Sequence, residues 1–365
     1  MKPKVIDLFC GCGGLSHGFL DAGYDVLIGI DKDEAALETY KYNHKNSEIL
    51  NADLSKDNTI DEIENKINKI LNVNNISKED REIDVIIGGP PCQGFSLTGS
   101  RDINDTRNTL YLGVVKTVRK FNPKAFLIEN VPGMATLYGG VVKQQIINTF
   151  TDMGYNVSVT DKPFLAADYG VPQMRKRLFF VGIRKDLNRK FEFPKPIYTS
   201  ENYITCFQAI SDLPSRESEL GNDEDEYIMS PQSEYQKRMR KNSKKLYNHV
   251  ATKHTDLVKW TISLVPEGGN YKDLPPGVGD TRKFNEAWTR YHSQKPSRTI
   301  DTGHRNHFHY KYNRVPTVRE NARLQSFPDD FVFLGTKTQQ NRQVGNAVPP
   351  LLAYHIAVKL LDYLK

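Results

Sequence analysis

In the first half of the chain, short apolar runs alternate with amphipathic stretches, and this alternation restricts the fold more than any other feature. The apolar runs predict strands at 4–8, 26–30, 48–51, 84–87, 125–129, 156–161 and 178–183. The amphipathic stretches predict helices at 16–22, 34–43, 60–71, 109–121 and 141–153. Strands that alternate with helices favour a mostly parallel α/β sheet with helices packed on its faces.

The pattern changes after Arg184. From Asp186 to about Tyr312 the apolar periodicity weakens, prolines and polar residues increase, and charges come in an acidic block (217–226) followed by a basic block (237–245). Both blocks are typical of a solvated surface or loop. Residues 351–364 return to a helical apolar pattern and are predicted to rejoin the first lobe. A chain of 365 residues with this division predicts two unequal lobes.

Composition excludes several classes of protein. With 38% hydrophobic and 26% charged residues, no apolar leader and no apolar run near twenty residues, the chain is expected to be cytoplasmic, without a membrane span. Its cysteines, Cys10, Cys12, Cys92 and Cys206, do not form a disulfide framework, and no second ligand pair accompanies Cys10 and Cys12, so no metal is predicted. The net charge of +6 is compatible with a polyanionic partner.

The stretch IDLFCGCGGLSHGF (6–19) runs from a predicted strand through glycines into a predicted helix. Such a turn passes tightly under a ligand and points helix amides at it, although Gly11, Gly13 and Gly14 do not match the dinucleotide spacing G-x-G-x-x-G. Asp31 ends the next strand, where a carboxylate holds a ribose diol, and Asp53 follows the third, where it can accept from an adenine amine. A turn with two capping aspartates in an unrelated α/β fold remains an alternative.

Three further strand ends carry reactive side chains. Cys92 lies in GGPPCQGFS (88–96), a stiffened turn directly after a buried strand, and is a candidate nucleophile. Glu129 ends another apolar strand, where partial burial favours the protonated, proton-donating carboxyl. Arg175 and Arg177 precede a third buried strand. Each could instead be a core cysteine, a capping glutamate or a surface arginine, but together they predict one reacting centre at a sheet edge.

An ordered set of motifs is similar to that of the C5-cytosine DNA methyltransferases. The set consists of DLFCGCGG, the two aspartate strand ends, GGPPCQGFS, ENV, QMRKR, RVPTVRENARLQSFPDDF (314–331) and QVGNAVPP (343–350). The likeness spans the chain except for the region between Arg184 and Arg314. It implies a Rossmann-like S-adenosylmethionine-dependent methyltransferase sheet with a smaller, irregular target-recognition domain. The implied divisions are a catalytic domain at 1–185, a recognition domain and hinge at 186–335, and a segment at 336–365 that returns to the catalytic domain.

The resemblance also implies roles by position. Cys92 matches the nucleophile that adds to carbon 6 of a flipped cytosine, Glu129 the acid at N3 and the exocyclic amine, and Arg177 the arginine at the base carbonyl; Arg175 joins this catalytic set. The implied cofactor-binding residues are Phe9, Gly11, Gly13, Gly14, Leu15, Asp31, Lys32, Asp53, Leu54, Pro90, Leu110, Asn346, Ala347 and Val348. Lys32 departs from the apolar or aromatic residue that many relatives stack on adenine, and Ala347 replaces a small hydroxyl residue.

The DNA face is predicted in the irregular region. Residues 281–314 interleave basic and aromatic side chains, which suits phosphate and base contacts, although packing between the lobes is the alternative. Candidate DNA contacts are Gln93, Ser96, Arg107, Arg305 and His307, and residues 93–107 match a mobile loop that closes over the flipped base. Arg319 and Glu320 are expected to organise this lobe. The expected partner is double-stranded DNA, with a cognate restriction endonuclease acting separately, and the enzyme is expected to be a monomer, nucleoid-associated when bound.

Three alternatives remain open from the sequence. One is a tRNA cytosine-C5 methyltransferase of the same fold, which the long recognition region and the QVGNAVPP ending disfavour. Another is a dinucleotide-dependent oxidoreductase, which would leave the PPC, ENV and QMRKR motifs unexplained. The third is a catalytically silent DNA-binding module, against which the joint presence of Cys92, Glu129 and Arg177 counts.

Overall fold

The computed structural model of the protein describes residues 2–74, 76–77, 80–91, 109–278, 288–303 and 306–365. The chain forms two compact units. The sheet unit comprises Met1–Leu165, Lys176–Lys195 and Leu352–Lys365. The loop-rich unit comprises Ala166–Arg175 and Pro196–Leu351. Each unit is therefore built from stretches that are distant in the sequence.

The sheet unit alternates strands and helices along the chain. Its strands are β1 (Lys4–Leu8), β2 (Asp25–Asp31), β3 (Glu48–Asn51), β4 (Val85–Gly88), β5 (Ala125–Asn130), β6 (Tyr155–Val159), β7 (Phe164–Leu165) and β8 (Lys176–Arg184). Its helices are α1 (Gly14–Asp21), α2 (Glu34–Asn43), α3 (Thr59–Val73), α4 (Thr109–Phe121) and α5 (Val141–Asp152), together with most of the last helix of the chain. The seven strands expected from the sequence are present, with bounds that differ by at most two residues.

The order of the strands determines which side chains can meet. The sheet runs β3-β2-β1-β4-β5-β8-β6, with β7 paired to β8. The strands from β3 to β5 are mutually parallel, whereas β8 is antiparallel to both β5 and β6. The carboxyl ends of the five parallel strands therefore share one edge with the amino end of β8. This confirms the predicted mostly parallel α/β fold and places the ends of β1 to β5 and the start of β8 at a single edge, here called the carboxyl edge.

The helices of the sheet unit bury one face each. On α3, Ile63, Ile67 and Leu71 recur every four residues and are at most 2% exposed. They join the main apolar cluster together with Val114 and Val118 of α4. Each such buried aliphatic side chain contributes on the order of 2 kcal/mol of hydrophobic stabilisation. The amphipathic spacing of these helices is what packs them against the sheet.

The loop-rich unit contains only short elements. In chain order they are α6 (Cys206–Ile210), β9 (Glu224–Asp225), α7 (Glu234–Arg240), β10 (Leu246–Tyr247), α8 (Asp256–Ser263), β11 (Thr289–Arg290), β12 (His307–Phe308), α9 (Val318–Leu324), α10 (Lys337–Asn346) and the start of α11 (Pro350–Leu361). Among the described residues, its strands form two sheets of two strands each. Most of its backbone carbonyls must therefore find donors outside regular ladders.

Buried arginines supply many of those donors. Arg319 is fully buried, and its guanidinium donates to three backbone carbonyls at 2.6–2.9 Å, those of Tyr247, Pro328 and Phe331. Arg314 forms a bidentate pair with buried Glu320, at 2.8 and 2.7 Å. Both Arg319 and Glu320 thus hold the unit together, as the sequence suggested.

One helical stretch resembles a membrane span by composition alone. Among the described residues, Lys337–Leu361, which covers α10, α11 and their junction, has a mean hydropathy of 1.2 in its most apolar window. However, 61% of that window is buried inside the protein. This burial is that of a core helix in a soluble protein, so the stretch is weak evidence for a membrane span.

Two buried histidines lie beside Glu320 in the loop-rich unit. His249 hydrogen-bonds Thr317 Oγ1 at 2.9 Å and the Pro214 carbonyl at 2.8 Å, and His309 Nε2 lies 3.7 Å from Glu320. Burial lowers the pKa of His249 to about 4 and that of His309 to about 3. Burial disfavours the charged carboxylate of Glu320, but Arg314 outweighs this and lowers its pKa well below the usual range. Both histidines are consequently neutral in the folded protein near pH 7.

We predict that the protein loses stability as the pH falls below about 6.5. The unfolded histidines bind protons there with a pKa of about 6.5, whereas the folded ones bind them only near pH 4 and 3. By pH 5 each histidine should lower the free energy of unfolding by about 2 kcal/mol. Urea unfolding at pH 7 and pH 5 measures this. His249→Gln should reduce the difference in the free energy of unfolding between pH 7 and pH 5, whereas the control His292→Gln, at a half-exposed position, should not. Equal pH profiles of stability for His249→Gln and wild type would contradict the role given to His249.

Candidate active site

A left-handed turn connects β1 to α1. Phe9, Gly11 and Gly13 have φ angles of 56°, 52° and 95°. Gly13 also lies against α2, because a Cβ built on it would be 2.2 Å from Cε1 of His44. Only glycine fits there. A Cβ on Gly11 would meet no heavy atom within 4 Å, so the outer surface of the turn leaves room for a ligand against its backbone.

Two carboxylates follow the ends of β2 and β3. Asp31 ties the glycine turn to β2, because its Oδ2 accepts from the Gly11 N–H at 2.8 Å while its Oδ1 accepts from the Asp33 N–H at 2.9 Å. Asp53 Oδ1 accepts from the Ser55 N–H at 3.0 Å, and hydrogen bonds from Ser55 lower the pKa of Asp53. Each carboxylate oxygen has a second lone pair. Both carboxylates therefore keep acceptor capacity for hydroxyl or amine donors of a ligand.

The remaining predicted cofactor residues in the sheet unit fall into two groups. Leu15 and Leu54 are buried, at 5% and 4% exposure, and Phe9 packs half-buried against the apolar core. Lys32 is exposed directly after Asp31, and Leu110 is half-buried in the first turn of α4. The leucines therefore belong to the packed interior, whereas Lys32 and Leu110 keep part of their side chains accessible.

Glu129 and Arg177 meet at the carboxyl edge. Arg177 Nε lies 2.5 Å from Glu129 Oε1, and both side chains are 12% exposed. Arg177 Nη1 donates to the Lys176 carbonyl at 2.8 Å. Among the described residues, no hydrogen bond occupies Nη2 of Arg177 or Oε2 of Glu129. A carboxylate and a guanidinium held side by side can bind the polar edge of one planar heterocycle.

The turn before Cys92 reaches this pair. A Cβ built on Gly89 would lie 3.1 Å from Glu129 Oε2, so glycine leaves space beside the carboxylate. Pro90 is buried, and its carbonyl accepts from Asn130 Nδ2 at 3.2 Å, which joins the ends of β4 and β5. Cys92 itself, like Gln93, Ser96, Arg107 and Arg305, lies outside the described residues.

In the loop-rich unit, the predicted cofactor residues lie at the end of α10. Asn346 is its last residue and is exposed, Ala347 is half-buried, and Val348 is 7% exposed. Among the described residues, no group of three His, Cys, Asp or Glu side chains could hold a metal ion. The ring of His309, one of the histidines near residue 307, stacks on Tyr310 and Tyr312.

Two predicted contacts with substrate need correction. Arg175 is 1% exposed and donates to the backbone carbonyls of Ile300 and Gly345, so its guanidinium is enclosed within the loop-rich unit. His307 is 7% exposed and stacks on Tyr291 with ring centroids 5.3 Å apart, so it is not a surface contact for DNA. In both cases tertiary packing has enclosed a polar side chain that the sequence left free.

Comparisons with known proteins agree along the whole chain. The family model for the C-5 cytosine-specific DNA methylase matches residues 3–362. The chain is 38% identical over 384 residues to the type II methyltransferase M.DdeI of Desulfomicrobium norvegicum, covering 99% of this chain and 89% of that protein. It is 39% identical over 371 residues to M1.HphI of Haemophilus parahaemolyticus, covering 99% and 87%. A solved structure described as a DNA modification methyltransferase of an E. coli prophage aligns with a TM-score of 0.77 and 28% identity, covering 100% of this chain and 99% of that one.

A buried acid beneath the glycine turn escaped the sequence analysis. Asp7, in β1, is fully buried; its Oδ2 accepts from Ser16 Oγ at 2.6 Å, and Ser16 Oγ lies 2.9 Å from Tyr40 Oη. Burial, with a smaller contribution from Asp31, raises the pKa of Asp7 to about 8. The sequence does show one acidic residue, Asp7, within the mostly apolar strand β1. Nothing in the sequence indicated that its side chain would be buried.

We predict that Asp7→Asn stabilises the protein at alkaline pH. Because the pKa of Asp7 is raised in the folded state from 3.8 to about 8, its destabilising effect grows as the pH rises through this interval. Asparagine can still accept from Ser16 but cannot ionise, so at pH 8 the gain should be on the order of a few kcal/mol. Urea unfolding at pH 5 and pH 8 checks this, with Asp21→Asn on the exposed part of α1 as the matched control. Identical profiles for wild type and Asp7→Asn would refute it.

Proposed function

The chain belongs to the C-5 cytosine-specific DNA methylase family, and from that premise we propose how its residues carry out the reaction. It is a DNA cytosine-5 methyltransferase of the restriction-modification type that uses S-adenosylmethionine as methyl donor. We propose that it flips the target cytosine out of duplex DNA and forms a transient bond between Cys92 and carbon 6 of that base.

The cofactor is proposed to bind over the glycine turn. Asp31 would hold the ribose hydroxyls and Asp53 the adenine amine, with Phe9, Leu15 and the half-buried Leu110 closing the apolar sides. When bound, S-adenosylmethionine supplies an electrophilic methyl group on a sulfonium. Asn346, Ala347 and Val348 are also proposed as cofactor contacts, and the exposure of Asn346 supports a ligand contact there.

The Glu129–Arg177 pair is the observation that carries the catalytic proposal. Cytosine presents N3 and an exocyclic amine beside its carbonyl oxygen, so Glu129 is proposed to bind the first two and Arg177 the third. The free Oε2 of Glu129 and Nη2 of Arg177 among the described residues are the groups available for these bonds. Gly89 is beside Glu129, and Cys92 is three residues further along the chain. The nucleophile is therefore proposed to lie next to the groups that hold the base.

The chemistry explains why these residue types are needed together. Carbon 5 of cytosine is a poor nucleophile within an aromatic ring. The Cys92 thiolate is proposed to add to carbon 6 while Glu129 protonates or hydrogen-bonds N3, so that the electron pair shifts towards carbon 5, which then takes the methyl group. Loss of the proton from carbon 5 returns electrons to the ring and expels the Cys92 thiolate. Covalent catalysis thus replaces one difficult step with two easier ones.

Base extrusion follows from access, because carbons 5 and 6 cannot be reached inside a stacked duplex. Flipping costs a few kcal/mol, which contacts in the pocket must offset. The segment 93–107, with Gln93, Ser96 and Arg107, is proposed to close over the flipped base. Residues 281–314, with Arg305, are proposed to form part of the DNA face of the recognition domain at 186–335.

The cellular setting is also a proposal. The relatives are type II methyltransferases, which suggests a cognate endonuclease that acts separately on the same DNA. We propose that the enzyme acts as a monomer in the cytoplasm and associates with the nucleoid when it is bound to DNA.

We predict that wild-type enzyme transfers tritiated methyl groups from S-adenosylmethionine to duplex DNA and not to tRNA, and that Cys92→Ser reduces turnover by at least ~10⁴-fold, a size typical of losing a covalent nucleophile. Serine is far less ionised than cysteine near neutral pH, so the adduct at carbon 6 should not form. Bisulfite sequencing of DNA from expressing cells locates the modified cytosine.

Binding measurements separate chemistry from recognition in this test. Cys92→Ser should still bind S-adenosylmethionine and DNA, and duplexes with 5-fluorocytosine in varied sequence contexts should trap wild type but not the variant. Methylation of tRNA alone would overturn the DNA assignment, and full turnover by Cys92→Ser would remove the covalent step.

We also predict that Glu129→Gln slows methylation by about 10²- to 10⁴-fold, the range for a general acid. Glutamine can hydrogen-bond the base but cannot give a proton to N3, and it loses the ion pair with Arg177. Single-turnover rates at saturating DNA and cofactor measure the effect. Exposed Glu62→Gln on α3 is the matched control and should retain the wild-type rate; an equally small change in both variants argues against the acid role.

A further inference from the structure

The last turn of α10 has backbone carbonyls that N–H groups of the helix itself cannot satisfy. The last turn of a helix leaves four carbonyls without intrahelical donors. After Asn346 the chain continues through Ala347 and Val348 to Pro349 and Pro350. Proline has no N–H, so the carbonyls of Gly345 and Asn346 could not be satisfied even if the helix continued. Donors for this turn must come from elsewhere in the fold.

Two buried side chains provide them within the loop-rich unit. Gln325 Nε2 donates to the Val344 carbonyl at 3.2 Å and to the Ala347 carbonyl at 2.6 Å. Arg175 Nη2 donates to the Gly345 carbonyl at 2.8 Å. A cation at this position also suits the negative end of the dipole of α10. Together, these bonds fix the backbone on both sides of Asn346.

A third side chain links the two donors to a neighbouring segment. Gln173 Nε2 donates to Gln325 Oε1, and Gln173 Oε1 accepts from the Ile300 N–H at 3.0 Å. The Ile300 carbonyl in turn accepts from Arg175 Nη1 at 3.1 Å, so both polar groups of its backbone are held. Gly345 lies directly against this segment, because a Cβ on it would be 2.3 Å from the Asp301 carbonyl oxygen.

We propose that Gln173, Arg175 and Gln325 form a carbonyl clamp, and that these positioning residues set the affinity of the enzyme for S-adenosylmethionine. The three side chains are at most 1% exposed, so they act through the backbone that they hold. The backbone in question carries Asn346, Ala347 and Val348. The inference rests on the proposed function, which assigns those three residues to the cofactor site.

The test is Gln325→Met, which keeps the length of the side chain but removes both donors. The KM and the Kd for S-adenosylmethionine should rise about tenfold, the size expected from losing one or two buried hydrogen bonds. The kcat at saturating cofactor should stay within about threefold of wild type. Arg175→Lys keeps the charge and can reach one carbonyl, so its Kd should lie between those of wild type and Arg175→Met.

Arg319→Lys is the matched control. Arg319 is also a buried guanidinium that donates to backbone carbonyls of this unit, but to those of Tyr247, Pro328 and Phe331. It should lower the free energy of unfolding without changing the Kd for S-adenosylmethionine. All measurements are made at a temperature at which circular dichroism shows every variant to be folded. If Gln325→Met does not fold, Arg175→Lys replaces it as the test variant.

The outcomes separate the clamp from the function on which it rests. An unchanged Kd for S-adenosylmethionine in Gln325→Met and Arg175→Lys overturns the clamp, as does an equal rise in Arg319→Lys. A fall in the kcat of Arg175→Lys with an unchanged KM for S-adenosylmethionine also overturns the clamp, because Arg175 would then act on the base. If wild type binds S-adenosylmethionine but methylates no DNA, the proposed function fails, and the Kd comparison still tests the clamp.

Discussion

The ion pair between Glu129 and Arg177 depends on one reversal of strand direction. Five parallel strands bring the glycine turn, Asp31, Asp53, the turn before Cys92 and Glu129 to the carboxyl edge. The strand β8 runs the other way, so Arg177 enters the sheet where β5 leaves it. A parallel β8 would begin at the opposite edge, on the order of 15 Å away for a strand of five or six residues. The proposed nucleoside contacts and the proposed base contacts therefore share one edge because of this topology.

The two units meet the demands of their backbones by different physical means. In the sheet unit, ladder hydrogen bonds satisfy the strands, and apolar helices cover them. In the loop-rich unit, buried guanidinium and amide groups take over much of this task, as Arg319 and Gln325 show. Such groups tolerate little change, since a buried carbonyl left without a donor costs about 1–3 kcal/mol. The irregular loops of this unit are thus held by a buried polar frame instead of by long sheet ladders.

The proposed division of labour between two arginines of one motif follows from where the chain changes unit. Arg175 is the last residue of a loop-rich stretch, whereas Lys176 and Arg177 begin β8 of the sheet unit. The motif QMRKR marked both as candidates, because neighbouring cations look alike in a sequence. Their fates differ since the carbonyls that enclose Arg175 come from residues 125 and 170 positions away. His307 was misjudged for the same reason, because Tyr291 covers it.

The sequence by itself determined the family and the main strands and helices of the sheet unit, because apolar periodicity and motif order are local properties that survive without coordinates. It also marked Glu129 and Arg177 as candidates for one site, since each lies at the end of a recognisable strand. Only the tertiary structure decided that these two side chains form a pair, that Asp7 is enclosed beneath the glycine turn, and that Gln173 and Gln325 meet. Burial and hydrogen-bond partnership depend on residues far apart in the chain, and no local pattern encodes which distant backbone group will need a donor.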